Sequence, residues 1–401
     1  FGLSLYDAII HYQLTDVEPC FDIPSSYLDN LDKDRFSHWE DAIESLVSTA
    51  NACGHPYLHP LTGISIREYS SAIKEEALQT LATFIGLLTA IQSKLPVFSA
   101  LLENTDIHPT RKDFNIISAI IRKILDIPEL TPELLTTPLL NETLEEYRKV
   151  TEHGRKRDEI KAEIENGFTK EVLKINAGPM LAEWNRVSAQ WFLPRYFGQR
   201  KIKKVIRPYA LQPVKPETVQ PLLHQVIRYQ EELDFTDRYA AKLPSLFGRF
   251  GRDEEWPIID QIIHEVSSLH SLLLSYSKDV AKTSRIKQNL ALQLTEGIRT
   301  FRDIHSHSLN ELYQLVDTLT ATEQRLSTTL GITVETLYTN SADWIGIALQ
   351  QAGIWKENLD KLKDWYQWLQ SYNKLNELGL GFIAEEYKEK NIPTDLLTSS
   401  F

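Results

Sequence analysis

Apolar residues recur at helical spacing along most of this chain. Ile43, Leu46, Val47 and Ala50 stand at positions i, i+3, i+4 and i+7, the pattern of an amphipathic α-helix. Similar stripes cover residues 78–95, 116–124, 222–233, 258–274, 290–330 and 354–380. The period-two alternation of a half-buried strand is hard to find over five residues. The pattern predicts an all-α fold, an elongated antiparallel bundle of long helices.

Proline and glycine clusters mark the breaks between these helices. Residues 54–63 contain two prolines and two glycines, and residues 127–138 contain three prolines. Within the second cluster, Thr131 is predicted to cap a short helix that has Pro132 at its first position. The breaks suggest four segments: an N-terminal helical region (1–138), a charged helical arm (139–178), an aromatic and basic segment (179–216) and a C-terminal long-helix bundle (217–401).

The predicted arm is dense in charge and sparse in apolar residues. Between residues 141 and 168 the apolar positions are Leu144, Tyr147, Val150, Ile160 and Ile164. Acidic and basic residues one helical turn apart form ion pairs that support an exposed helix. The segment is therefore predicted to be a long, exposed, coiled-coil-like helix.

Composition narrows the class of protein. The 401 residues are 42% hydrophobic and 24% charged, as in soluble globular proteins. No apolar run approaches the roughly 20 residues of a membrane span, and two cysteines provide no disulfide framework. These features predict a cytoplasmic protein without a membrane partner. The chain begins at Phe1 and its single methionine is Met180, which predicts an internal piece of a longer protein.

Charge singles out one segment. The formal net charge is −12, which argues against general nucleic-acid binding. Residues 195–207 nevertheless carry six cations and no carboxylate. Four of them recur at i, i+3, i+4 and i+7, namely Arg200, Lys203, Lys204 and Arg207. The other two, Arg195 and Lys201, flank this stripe. A second stripe, Ile202, Val205, Ile206 and Tyr209, is predicted to be buried.

Three partners fit this basic helix. Its cations can pair with the chain's own carboxylates, contact nucleic-acid phosphates, or bind an acidic protein surface. Trp184 and Trp191 are seven residues apart, which places them on one face of a continuous helix. Together with Phe192 and Tyr209 they are predicted to be structural anchors in the core rather than platforms for bases.

Motifs for catalysis are missing. No Gly-x-x-x-x-Gly-Lys-Ser/Thr loop occurs, so the chain is predicted not to hydrolyse ATP, to have no catalytic residue and to hold no cofactor. Cys53, His55 and His59 lie close in sequence, as do Asp303, His305 and His307. Neither group has the four ligands of a structural zinc site, so no metal site is predicted.

Several short motifs resemble one family. They are Gly2-Leu-Ser-Leu-Tyr-Asp-Ala-Ile9, the stretch from Trp184 to Arg207, and Leu246-Phe-Gly248 followed by Asp253-Glu-Glu-Trp256. Their order and spacing resemble the helical insertion of large bacterial superfamily 1 DNA helicases, which often belong to restriction or antiphage defence. The resemblance covers most of the chain, although each motif is short.

The resemblance implies a position within a motor protein. In that family the insertion interrupts the ATPase core between its phosphate-binding and Asp-Glu motifs, so ATP and magnesium are expected only in the parent protein. The expected partners are the parent's remaining domains and DNA, which the insertion would help to engage. The alternative is a helical scaffold or oligomerisation stalk that does not contact nucleic acid.

Overall fold

A computed structural model describes residues 32–54, 56–102, 109–333, 337–338 and 343–384. The all-α prediction is confirmed, since these ranges contain helices and no strand. The α-helices are α1 (Lys33–Cys53), α2 (Ser71–Leu101), α3 (Asp113–Asp126), α4 (Pro132–Thr136), α5 (Leu140–Glu165), α6 (Ala177–Ser188), α7 (Phe192–Ile206), α8 (Pro216–Asp237), α9 (Leu243–Arg252), α10 (Trp256–Ser277), α11 (Val280–Gln293), α12 (Ile298–Leu330), α13 (Trp344–Glu357) and α14 (Leu362–Glu377). Short 3-10 helices cover Pro56–Leu58, Lys170–Lys174, Arg207–Tyr209 and Leu359–Lys361.

The chain divides into two compact units. The first comprises residues 1–93 and 314–401, and the second comprises residues 94–313. This division cuts across the segments suggested by the sequence. The predicted arm and the aromatic and basic segment both lie in the second unit, while the regions before and after them contribute to both units.

In the first unit, α1 packs along α14. The irregular loop that was predicted after α1 is held by tryptophans of the C-terminal helices. The indole Nε1 of Trp365 donates to the carbonyl of Ile64 at 2.9 Å, and that of Trp355 donates to the carbonyl of Thr62 at 3.2 Å. A buried indole N–H is usually hydrogen-bonded, and here the backbone of an otherwise irregular loop accepts from both indoles.

In the second unit, α5 and α8 form an antiparallel pair. Gln225 donates to Glu163 at 2.9 Å, and Arg157 donates to Thr236 at 3.4 Å, so residue numbers rise along one helix as they fall along the other. The helix α10 packs against α3 and α5, and α11 packs against α4.

Local signals at some helix ends are confirmed. The Thr131 hydroxyl accepts from the amide of Leu134 at 3.3 Å, with Pro132 in the first turn of α4. Two stretches with a continuous helical pattern are interrupted in the structure. The window 290–330 is interrupted at Gly297, whose φ of +94° only glycine adopts readily. The window 354–380 is divided after Glu357 by the short helix Leu359–Lys361.

The helix of the predicted arm is confirmed as α5, but one of its faces is buried in the protein; its coiled-coil character stays a prediction. Its five apolar residues are buried, and three further residues, Thr151, Gly154 and Arg157, continue the same buried face. A hydrophobic pattern does not register polar and small residues at core positions, so it underestimates the buried face of α5. The i, i+4 ion pair predicted for such a helix does occur, between Lys156 and Glu152 at 2.6 Å.

The buried guanidinium of Arg157 is paired within a hydrogen-bond network that links α5 to the start of α10. Its guanidinium donates to Glu254 at 2.6 Å and to Asp158 at 2.8 Å. Trp256 donates its indole N–H to Asp158 at 2.9 Å, and the guanidinium lies 5.4 Å from the Trp256 ring. A buried charge needs such pairing. In this structure Trp256, one of the residues that carry the helicase resemblance, therefore joins α5 to the start of α10.

One helix in the described ranges meets the length and composition of a membrane span, namely α2. Core helices of soluble proteins meet the same criteria. In α2, 28% of the apolar window is buried in the protein, and its buried residues include Leu81, Phe84, Leu88 and Ile91, at the spacing of one helix face.

Candidate nucleic-acid interface

The basic segment is fixed to the α5–α8 pair through a compact apolar core. Trp184 of α6 and Ile202 and Ile206 of α7 are buried with residues of α5 and α8, among them Ile164 and Leu223. Trp184 is 4% exposed, as predicted for an anchor, and Tyr209 packs partly buried against the same core. Burial of this face fixes which side of α7 meets solvent.

The helices α6 and α7 cross at very close range. A Cβ atom at Gly198 would lie 2.4 Å from Cγ1 of Val187, well inside van der Waals contact. Gln199 donates to the Ser188 hydroxyl at 3.1 Å beside this crossing. The glycine therefore lets the two helices pack as a hairpin, with Ala189, Gln190 and Trp191 between them.

The aromatic residues of this hairpin turn lie in solvent. Trp191 is 67% exposed and Phe192 is 74% exposed, so the prediction that these two residues are core anchors is wrong. Three neighbours that were not among the predicted anchors, Leu193, Tyr196 and Phe197, are exposed as well. We call residues Trp191–Phe197 the aromatic turn. None of its residues is buried.

The wrong prediction for Trp191 has a clear physical cause. The seven-residue spacing of Trp184 and Trp191 places them on one face only if a single helix joins them. The helix α6 instead ends at Ser188, and α7 starts at Phe192 in a new direction. Pro194 signals this start, because proline is tolerated in the first turn of a helix and disrupts its interior.

The six cations also face solvent. Arg195, Arg200, Lys201, Lys204 and Arg207 are exposed, and Lys203 is half-buried. Within the described ranges, no carboxylate lies within 4.0 Å of any of their nitrogens. Pairing with the chain's own carboxylates, the first of the three alternatives, is thus not observed there. We call these six residues the basic face.

The prediction that the second stripe on α7 is buried is only partly correct. Ile202 and Ile206 are buried, but Val205 is 49% exposed. On a helix, residue 205 lies about 60° beyond residue 202 as viewed along the axis, on the side away from residue 206. The buried stripe is therefore narrower than four residues, and α7 presents more than half of its circumference to solvent.

The last acidic side chain before the basic face in sequence is paired with Arg186. Glu183 of α6 accepts from Arg186 through both guanidinium nitrogens, at 2.6 and 2.8 Å. The hydrogen bond from Arg186 is the main cause that lowers the pKa of Glu183, and the charges of Arg186 and of Lys201 in the basic face lower it as well. From residue 184 to residue 216 the sequence has no Asp or Glu, which leaves the basic face uncompensated by its own segment.

Comparisons with known proteins do not identify the chain. No family model and no curated protein matches the sequence, and no solved structure matches the fold. The helicase resemblance therefore stays a prediction. Of its motifs, Gly2–Ile9 lies outside the described residues. Phe247 is fully buried against the ring of Tyr147.

The residues considered as metal ligands have contacts other than those of a metal site. In the described ranges, no three His, Cys, Asp or Glu side chains converge as a metal site would require. His59 is buried, stacks on Trp365 at 4.8 Å and accepts from the amide of Leu61 at 3.2 Å. Burial raises the pKa of the Cys53 thiol to about 11. The His305 ring lies 4.8 Å from that of Phe301, tilted by 47°, and His55 lies outside the described residues.

The buried His59 predicts a pH dependence of stability. Burial lowers its pKa to about 4 from an ordinary value of 6.5, and protonation of Nδ1 would also remove the acceptor for Leu61. Between these values the unfolded chain binds more protons than the folded chain. The free energy of unfolding is therefore expected to fall by about 1–3 kcal/mol as pH decreases from 6.5 to 4.

Urea unfolding across this pH range measures the effect. In His59→Asn the side-chain oxygen can accept from Leu61 but does not titrate, so its profile is expected to be flatter in the same window. Parallel profiles for the two proteins would contradict this role of His59.

Proposed function

We propose that this chain is a non-catalytic helical module that engages DNA through the basic face, as the insertion of a superfamily 1 helicase whose ATPase residues lie elsewhere in the parent protein. The observation that carries the proposal is the basic face on and just after α7, whose cations contact solvent and have no carboxylate within 4.0 Å in the described part of a chain with net charge −12. The missing ATPase motifs and the sequence resemblance support the helicase context.

The charge of the basic face favours binding to phosphates. Cations that have no internal partner gain free energy when they neutralise phosphates, because condensed counterions are released from the nucleic acid. A protein with excess negative charge repels nucleic acid over most of its surface. Binding must then be confined to a local basic area, and α7 provides one.

The position of the basic face on its helix also supports the proposal. The basic face lies on a helix whose opposite side is fixed by Ile202 and Ile206 in the core. Its cations are therefore held on one rigid element about 20 Å long. A rigid array of this kind can follow a phosphate backbone without ordering a flexible segment first.

A salt titration with the full chain tests the proposal. If all six cations contact phosphates, log K for a single-stranded oligonucleotide is expected to fall against log[salt] with a slope of roughly −4. Fluorescence anisotropy of a labelled strand between about 50 and 200 mM salt would measure this slope. Absence of binding at the lowest salt, or a slope near zero, would contradict DNA engagement by the basic face.

A helical scaffold without nucleic-acid contact is the second candidate. The aromatic turn favours it, because exposed aromatic residues and arginine are common at the centres of protein interfaces. This function predicts self-association or binding of parent domains that depends on Trp191 and changes little with salt. Light scattering that shows a monomer at all concentrations, with no binding to the parent's other domains, would count against it.

A further inference from the structure

We infer that the aromatic turn stacks on unpaired bases, so that the ligand of this surface is single-stranded DNA rather than duplex DNA. This inference rests on the proposed function and extends it from phosphate contact to base contact. The aromatic turn is continuous with the basic face on α7, and together they form one exposed surface.

The aromatic turn is unusual because it leaves so much apolar surface in water. Five large apolar residues within seven positions are all about half exposed or more: Trp191, Phe192, Leu193, Tyr196 and Phe197. Exposed apolar clusters of this kind on soluble proteins mark interaction sites. The aromatic turn therefore has a partner that covers aromatic rings.

The order of residues along α7 indicates the chemistry of that partner. Phe192, Tyr196 and Arg200 follow one another at i, i+4 and i+8, so they form one row on the exposed side. Leu193, Phe197 and Lys204 form a neighbouring row. Both rows start with apolar or aromatic side chains and end with a cation. The partner must then offer flat apolar surfaces and negative charge within about 20 Å.

Single-stranded DNA has both properties along its whole length. Each unpaired base offers a π face to an aromatic ring, and each phosphate offers a charge to a cation. A duplex hides its base faces and would leave the aromatic rings in water. Tyr196 and Phe197 meet edge to face at 5.5 Å and 78°, so the two rings present faces in different directions.

An anionic membrane would also attract aromatic and basic residues. Helices that lie in a membrane interface bury one apolar face along their length and keep cations on the opposite face. The continuous apolar face of α7 is already buried in the protein through Ile202 and Ile206. Its exposed aromatic residues are confined to the N-terminal end and share a side with the cations, which favours a strand that runs along the helix.

Trp191 provides a specific probe. The other seven of the chain's eight tryptophans are buried, so ligand contact in the aromatic turn changes the emission of Trp191 above all. The full chain would be titrated with an oligothymidylate of about 16 nucleotides, with an abasic deoxyribose-phosphate strand of equal length, and with a duplex of equal phosphate number.

The expected result is that the oligothymidylate quenches Trp191 and binds on the order of 10-fold more tightly than the abasic strand. Trp191→Ala and Phe192→Ala should each weaken binding of the oligothymidylate by a similar factor, measured by anisotropy, and leave abasic binding unchanged. Leu292→Ala and Ile304→Ala are matched controls, because both residues are exposed apolar positions of the same unit, and neither should affect binding.

Other outcomes separate the two proposals. Equal, salt-dependent binding of the normal and abasic strands, unaffected by the aromatic variants, overturns base stacking and leaves phosphate contact intact. Tighter binding of the duplex, or stronger quenching of Trp191 by phosphatidylserine vesicles than by DNA, also overturns the inference. Absence of binding to every strand overturns both the inference and the proposed function.

Discussion

Reversal of Arg200, Lys203, Lys204 and Arg207 to glutamate is expected to weaken DNA binding by about a thousandfold at 0.1 M salt. Each contact with a single-stranded phosphate contributes about 0.7 to the salt slope, which corresponds to roughly fivefold in affinity at this salt concentration. Loss of four contacts amounts to several hundredfold, and the new carboxylates add repulsion. The salt slope should fall from roughly −4 to roughly −1.

A matched variant separates local contact from net charge. Lys242, Arg252, Lys282 and Arg285 are exposed cations of the same unit that lie outside the basic face. Their reversal changes the net charge by the same amount and is expected to weaken binding only slightly, since Debye screening limits the range to about 10 Å at 0.1 M salt. Equal losses in the two variants, or unchanged binding after the first reversal, would refute a role for the basic face.

Substitution of Gly331 by alanine is expected to lower the free energy of unfolding of the first unit by about 3 kcal/mol or more. The residue has a φ of +61°, in the left-handed region that side chains disfavour. A Cβ atom there would lie 1.9 Å from the carbonyl oxygen of Ser65. The two segments are also tied together by a hydrogen bond from the amide of Ser65 to the carbonyl of Leu330, at 2.9 Å, so neither can retreat without losing it.

Gly63→Ala is the control for the backbone conformation alone. Gly63 lies in the same unit with a φ of +93°, and its Cβ would be 3.4 Å from the Trp355 ring. This variant should cost about 1 kcal/mol. Urea unfolding followed by circular dichroism would give both values. A Gly331→Ala variant no less stable than Gly63→Ala would show that the contact with Ser65 adds no destabilisation.

Helical periodicity predicted the fold class correctly because apolar burial is the main determinant of helix packing. It could not identify the packed face of α5, where Thr151, Gly154 and Arg157 occupy buried positions. The environment of Arg157 depends on Glu254, which is distant in sequence, and such pairings are decided by the tertiary fold. The helix breaks at Gly297, but the apolar stripe continues across this residue, so periodicity alone did not reveal the break.

At the candidate interface, the positions of the cations followed from their spacing within one helix. The exposure of Trp191 did not, because helical phase is lost at a turn between two helices. Burial of Trp184 and exposure of Trp191 show how far two similar residues can differ when a helix end lies between them. Pro194 was the sequence signal that could have revealed the turn.

Phe168 and Ala210 form an isolated antiparallel backbone bridge at the ends of the segment that contains α6 and α7. Thr169 donates to the carbonyl of Tyr209 at 2.7 Å, and Leu211 donates to that of Gly167 at 3.0 Å, so the two ends of the excursion that contains α6 and α7 lie side by side. Adjacent ends let a chain acquire or discard a segment without rerouting its neighbours. The segment that carries the basic face is thus closed off at its ends, so that changes within its exposed turn need not reroute the α5–α8 pair.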